Sequence, residues 1–172
     1  MPLRRLLVLP LLAAALLGAE AAWALLIGEE VPYTPPSTEP QRAGDPGDPA
    51  LRLVVLGDST AAGQGAPYER GIAVGAARTL AARGRAVTWS NLAVSGAQWS
   101  DVRADQLRRA AELDADVVLI SAGANDVTGA TSGGALRDDI TAVVRALRAS
   151  DPDVTILMTG VPDMGSTPRF PQ

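Results

Sequence analysis

The sequence predicts an α/β domain built on a mainly parallel sheet, and three observations predict it. From Leu51 onward, short apolar runs alternate with segments of helical period, the pattern of successive βαβ units. Apolar residues make up 47% of the 172-residue chain, enough for one packed domain of ordinary size plus a short accessory segment. A sharp change of composition just before Leu51 marks where that domain begins.

Two segments precede it. Residues 1–28 carry Arg4 and Arg5 ahead of an apolar run, 6–27, broken by Glu20, the layout of an export signal or a membrane anchor. Small residues at Ala19-Glu20-Ala21 and Ala22-Trp23-Ala24 suit cleavage. The length suits an anchor, since about 20 apolar residues span a bilayer, with Trp23 near the outer interface. Either reading leaves the basic end inside and places the rest of the chain outside the cytoplasm, secreted or membrane-anchored. Residues 29–50, beginning "EEVPYTPPSTEPQRAGDPGDP", are rich in Pro, Gly and acidic residues and read as an extended tether. The domain proper is 51–172.

Within it the elements follow in order. A strand at 52–56 leads into Gly57-Asp58-Ser59-Thr60. A helix over 69–83 places Ile72, Ala76 and Leu80 on one face and stops at Gly84, a plausible left-handed C′ residue. A second strand, 87–93, ends on Val94-Ser95-Gly96-Ala97, and a helix then runs from a Ser100 cap to about Ala111. The third strand, 116–121, is followed by Ala122-Gly123-Ala124-Asn125-Asp126. The helix at 135–149 sets Leu136, Ile140, Val143 and Leu147 along one stripe and is stopped by Asp151-Pro152. A fourth strand, 154–159, gives way to Gly160-Val161-Pro162-Asp163.

Right-handed crossovers bring every loop that follows a parallel strand to the same sheet edge, so function should collect there. The first three loops offer a hydroxyl, a backbone donor and a side-chain amide. Read one at a time, Ser59 is a turn former, a helix cap, an anion cradle or a nucleophile; Gly96 is a turn glycine; Asn125 is a loop or cap residue. Asp58 is expected to brace its turn through backbone hydrogen bonds. Together they are the parts of acyl transfer: Ser59 as nucleophile, with the Ser59 N–H, the Gly96 N–H and the Asn125 amide as an oxyanion hole. A net charge of −4 with scattered basic residues argues against a nucleic-acid partner. The chain has no cysteine and no histidine, which removes thiolate metal sites and the commonest general base.

The stretches "VVLGDST", "NLAVSGAQ" and "LISAGANDV" resemble, in order, the first three motif blocks of the SGNH hydrolases, or GDSL esterases and lipases, with Thr60 where the family name has Leu. The resemblance implies a flavodoxin-like three-layer α/β/α fold, no cofactor, no metal, and hydrolysis of small-molecule, lipid or glycan esters. It gives Ser59 the nucleophile's role and Ser59, Gly96 and Asn125 the oxyanion hole.

The family's fourth block, D-x-x-H, is absent, so the fold is expected to be incomplete at the C-terminus and the chain to be a nearly inactive fragment. Asp126 or Asp163 as a substitute base would be poor, since an exposed carboxylate is too weakly basic at neutral pH. Two other classes of function remain. One is a non-catalytic module that keeps an acyl- or glycan-binding pocket. The other is phosphate or nucleotide binding, disfavoured because "GDSTAAGQG" has neither the glycine spacing nor the lysine of a phosphate loop.

Overall fold

A computed structural model describes residues 13–20, 22–23, 33–37 and 39–160. The chain divides into two units, Met1–Pro32 and Tyr33–Gln172. In the first, residues 13–20 are helical. Among the described residues no helix is long and apolar enough to cross a membrane, and most of the run 6–27 lies outside them.

Among its described residues the second unit forms a five-stranded sheet in the order β1-β3-β2-β4-β5. Its strands are β1 (Gln41–Ala43), β2 (Ala50–Gly57), β3 (Ala86–Asn91), β4 (Val117–Ser121) and β5 (Thr155–Met158). The four strands expected from sequence are all present and mutually parallel, with β2 in the middle. Placing β2 between β3 and β4 makes it the switch point of the sheet, where chains leave in opposite directions and a crevice opens.

β1 was not expected. It falls inside the stretch read as a tether and pairs antiparallel with β3, Gln41 opposite Trp89 and Ala43 opposite Val87. Three residues suffice because the β3 edge supplies the partner, and Tyr33 and Ala43 pack against the apolar cluster on that side. The tether reading therefore does not hold for residues 41–43, nor for Ala50, which opens β2.

Side chains alternate across β2. Leu51, Leu53 and Val55 pack with Val87, Trp89 and with Ala73, Val74 and Ala77 of α2 (Ile72–Ala81). Val54 and Leu56 face the other way, onto Val118, Ile120, Val102, Val143 and Leu147. Each such Leu or Val stabilises the fold by about 1.5–3 kcal/mol on burial, and two cores with the sheet between them make the three-layer α/β/α arrangement.

The helices depart from expectation in local ways. The helix over 69–83 is split: a 3₁₀ turn, Tyr68–Arg70, precedes α2, and extended Gly71 separates them. Its buried stripe is Ala73, Val74 and Ala77, while Ile72, Ala76 and Leu80 are only half-buried. The next helix is capped at Gln98, not at Ser100, because the Asp101 carboxylate accepts from the Gln98 N–H at 2.8 Å and fixes the first turn there. It runs as α3 (Trp99–Asp101), a π-helical stretch (Val102–Gln106) and α4 (Leu107–Ala111). Before α2, the short helix α1 (Ser59–Ala62) follows β2 after the single residue Asp58. After β4 come α5 (Ala124–Thr128) and α6 (Gly133–Ser150). α6 is capped by Ser132, whose hydroxyl accepts from the Ala135 N–H, and its stripe is the expected one, with Val143 and Leu147 fully buried.

Candidate active site

β2 ends in a turn that only glycine permits. Gly57 has φ +136°, and a Cβ there would overlap the carbonyl oxygen of Ser121 on β4. That tight approach lets the Asp58 N–H donate to Ser121 O at 2.9 Å. Asp58, almost wholly buried, is the N-cap of α1, and its Oδ1 accepts from the Thr60 N–H at 2.9 Å, so it braces the turn as expected.

Ser59 thus occupies the first position of α1 and is half-buried. An N–H at that position has no partner inside the helix. The cap serves Thr60, which leaves the Ser59 N–H without a partner among the described residues. Among the described residues the Ser59 hydroxyl makes no hydrogen bond either.

The loop after β3 is tied to this turn. The Val94 N–H donates to Gly57 O at 3.1 Å, and the Ser95 hydroxyl donates to Gln64 Oε1 just beyond α1. Gly96 is exposed at φ +86°, with no heavy atom within 4 Å of where a Cβ would sit, so its backbone stays open to an approaching molecule. The loop after β4 is tied in turn to the loop after β3. Asn125 Nδ2 donates to Ala97 O at 3.0 Å, Gln98 Nε2 donates to Asn125 O at 3.0 Å, and the Trp99 N–H donates to Asp126 Oδ2 at 3.1 Å.

Gly96 is therefore bracketed by Val94, bound to the Ser59 turn, and Ala97, bound to Asn125. All three sequence candidates come to one end of the sheet. An amide nitrogen carries two hydrogens, so Asn125 keeps one after bonding Ala97. Asp126 is buried and engaged by a backbone N–H, which makes it a strut between loops rather than an accessible base. Asp163 lies outside the described residues.

Among the described residues, one concavity borders the turn and another borders the loop after β3. One of about 170 Å³ lies between Asp58 and Thr60 on one side and Ser121, Ala122, Ala124 and Thr159 on the other, where the Thr159 hydroxyl donates to Ser121 Oγ at 2.9 Å. The other, about 250 Å³, opens beside Gly96 and reaches Asp101, Asp105 and Gln106.

Three polar side chains that sequence reasoning missed hold this arrangement: buried Asn91 and Gln106, and half-buried Gln98. Gln106 could have been found, because it is the one polar residue in the stripe Trp99, Val102, Gln106, Ala110, whose spacing marks a buried helix face.

Residues 55–172 match the GDSL-like lipase/acylhydrolase family. Among solved structures, that of TesA is 24% identical, with a TM-score of 0.59 over 64% of this chain and 60% of that one. AlinE4, an SGNH-hydrolase family esterase, is 18% identical, with a TM-score of 0.58 over 65% of this chain and 59% of that one. The psychrotrophic esterase EstA from Pseudoalteromonas sp. is 20% identical, with a TM-score of 0.56 over 64% and 60%. At these identities the likeness is one of fold, and the chain spans about 60% of the length of these proteins. No curated protein matches it.

Proposed function

The chain belongs to the GDSL-like lipase/acylhydrolase family, and from that premise we propose that it is the nucleophile-bearing part of a serine esterase in which Ser59 attacks the ester. The observation that carries this reading is the position of Ser59 at the start of α1, with the cap bonded to Thr60 and with the end of β4 and the loop after β3 both bonded to its turn.

In this reading Ser59 Oγ bonds to the ester carbonyl carbon while the carbonyl π pair moves onto oxygen. Collapse of that adduct expels the alcohol and leaves an acyl-serine, which water then cleaves. The developing oxyanion takes hydrogen bonds from the Ser59 N–H, the Gly96 N–H and the remaining hydrogen of Asn125 Nδ2, donors whose positions are set before substrate arrives. The hydroxyl proton needs a base. The 172 residues contain no histidine, and Asp126 is committed to Trp99, so we assign the base to residues outside them. Alone, the chain should turn over roughly 10⁴- to 10⁶-fold more slowly than the complete constellation.

The substrates in this reading are small-molecule, lipid or glycan esters, and export or membrane attachment through 6–27 is part of it. The test is stoichiometric rather than catalytic. With imidazole supplied in solution as the base, a p-nitrophenyl alkylphosphonate ester should release one equivalent of nitrophenolate and leave its phosphonyl group on Ser59, located by peptide mass. A chain carrying Ser59→Ala should not react. Equal reaction of that variant would sink the reading.

The missing histidine favours one alternative, a module that binds acyl or glycan esters without cleaving them. Saturable binding of an acyl ester with no phosphonylation of Ser59 would establish it instead.

A further inference from the structure

Gln106 is the last residue of the π-helical stretch and is 3% exposed. Its side chain bonds both backbone polar groups of one residue: Oε1 accepts from the Gly57 N–H at 2.8 Å, and Nε2 donates to Gly57 O at 2.9 Å. Gly57 is the end of β2, two residues before Ser59.

The sheet itself leaves this gap. β3 pairs with β2 only as far as Asn91 opposite Val55, and its chain then turns away, so the N–H of Gly57 finds no strand on that side. A primary amide presents a donor and an acceptor at the spacing of a peptide group, and Gln106 stands in for the strand that has left. The Gly57 carbonyl also accepts from Val94, and the next N–H, that of Asp58, goes to Ser121. Three separate elements therefore grip the chain immediately before Ser59. π turns within helices recur at functional positions; this one delivers a single polar side chain into an otherwise apolar face.

We propose that Gln106 is a positioning residue, acting through Gly57 to fix where Ser59 stands relative to its oxyanion donors; this rests on the serine reading above. Gln106 does not touch substrate in this role.

The experiment follows the same phosphonate reaction across a concentration range in the full chain. The Ser59 Oγ–P bond forms, the P–O bond to nitrophenolate breaks, and the hydroxyl proton passes to the added imidazole. Gln106→Met removes both bonds to Gly57. Gln106→Glu keeps the shape and the acceptor but, ionised, has no donor for Gly57 O. Both should lower the limiting rate roughly 10- to 100-fold, the effect of a misplacement near 1 Å, with the half-saturating concentration unchanged. Amide hydrogen exchange should quicken in residues 55–62 while β4 and α6 keep their protection.

An unchanged limiting rate, unchanged exchange over 55–62, or loss of protection across the whole sheet would each overturn the proposal, the last because Gln106 would then hold the core rather than the turn. A wild-type chain that fails to react at Ser59 overturns the serine reading and the role of Gln106 with it. A reactive wild type with unaffected Gln106 variants overturns the role of Gln106 alone.

Discussion

Asn91 Nδ2 donates to the Ala61 carbonyl at 2.9 Å, so the end of β3 holds the helix that begins with Ser59. The same amide accepts at Oδ1 from the Ala93 N–H at 3.1 Å. One fully buried side chain thus joins the strand end, the start of the Gly96 loop and α1. Asn91→Ala should cost about 1–3 kcal/mol for each buried group left unpaired, read as a lower urea midpoint, and should slow phosphonylation of Ser59. A midpoint equal to wild type would show that the bond carries no weight.

Gly57→Ala is expected to be far worse. It combines a φ of +136° with a Cβ that overlaps Ser121 O, and backbone must shift to relieve it. A loss above about 4 kcal/mol belongs to such backbone and packing conflicts. A melting temperature within about 2 °C of wild type would contradict the geometry, since 1 kcal/mol moves a domain of this size by at least that much.

At Asn125, the substitution separates electrostatics from shape. Asn125→Ala removes the proposed oxyanion donor and the tie to Ala97, and should slow phosphonylation roughly 10²- to 10³-fold. Asn125→Asp keeps the outline but sets a carboxylate against Ala97 O and the developing negative charge, so it should be no faster than the alanine variant. If Asp reacts like wild type, Asn125 is not a donor to the oxyanion.

If Ser59 is the nucleophile, imidazole supplied in solution should serve as its base. Ester hydrolysis should gain a term that rises with the concentration of neutral imidazole and vanishes in Ser59→Ala. The same imidazole dependence in both proteins would mean that solution chemistry alone accounts for it.

Away from the site, Glu112 receives Arg109 at 3.1 Å and Arg108 at 2.8 Å. The hydrogen bond from Arg109, aided by the charge of both arginines, holds its carboxyl below the ordinary value. A depressed folded-state pKa gives stability that is present above the unfolded pKa and fades as pH falls through the folded one. Melting temperatures of wild type and Arg109→Ala should therefore draw together below about pH 4, where model carboxylates take up protons. A gap that widens on acidification would reverse the sign.

The four parallel strands, their order of appearance and the loops bearing Ser59, Gly96 and Asn125 were legible in the sequence, because a buried parallel strand must be a short apolar run and its helices must carry a 3.6-residue stripe. The stripe of α6, from Leu136 to Leu147, needed nothing more. Local chemistry at helix starts was read less well: Ser100 looked like a cap on its own, whereas Asp101 bonding back to Gln98 moved the start two residues earlier.

By itself, then, the sequence determined which residues meet at the sheet edge, since periodicity and strand direction are properties of the chain alone. Only the tertiary structure decided what holds them there. β1 becomes a strand because β3 offers an unpaired edge, and Asn91 and Gln106 become struts because backbone groups of Ala61 and Gly57 would otherwise be buried without partners. Such needs arise from segments 30 to 49 residues apart, and no local pattern records a hydrogen bond whose other half lies that far along the chain.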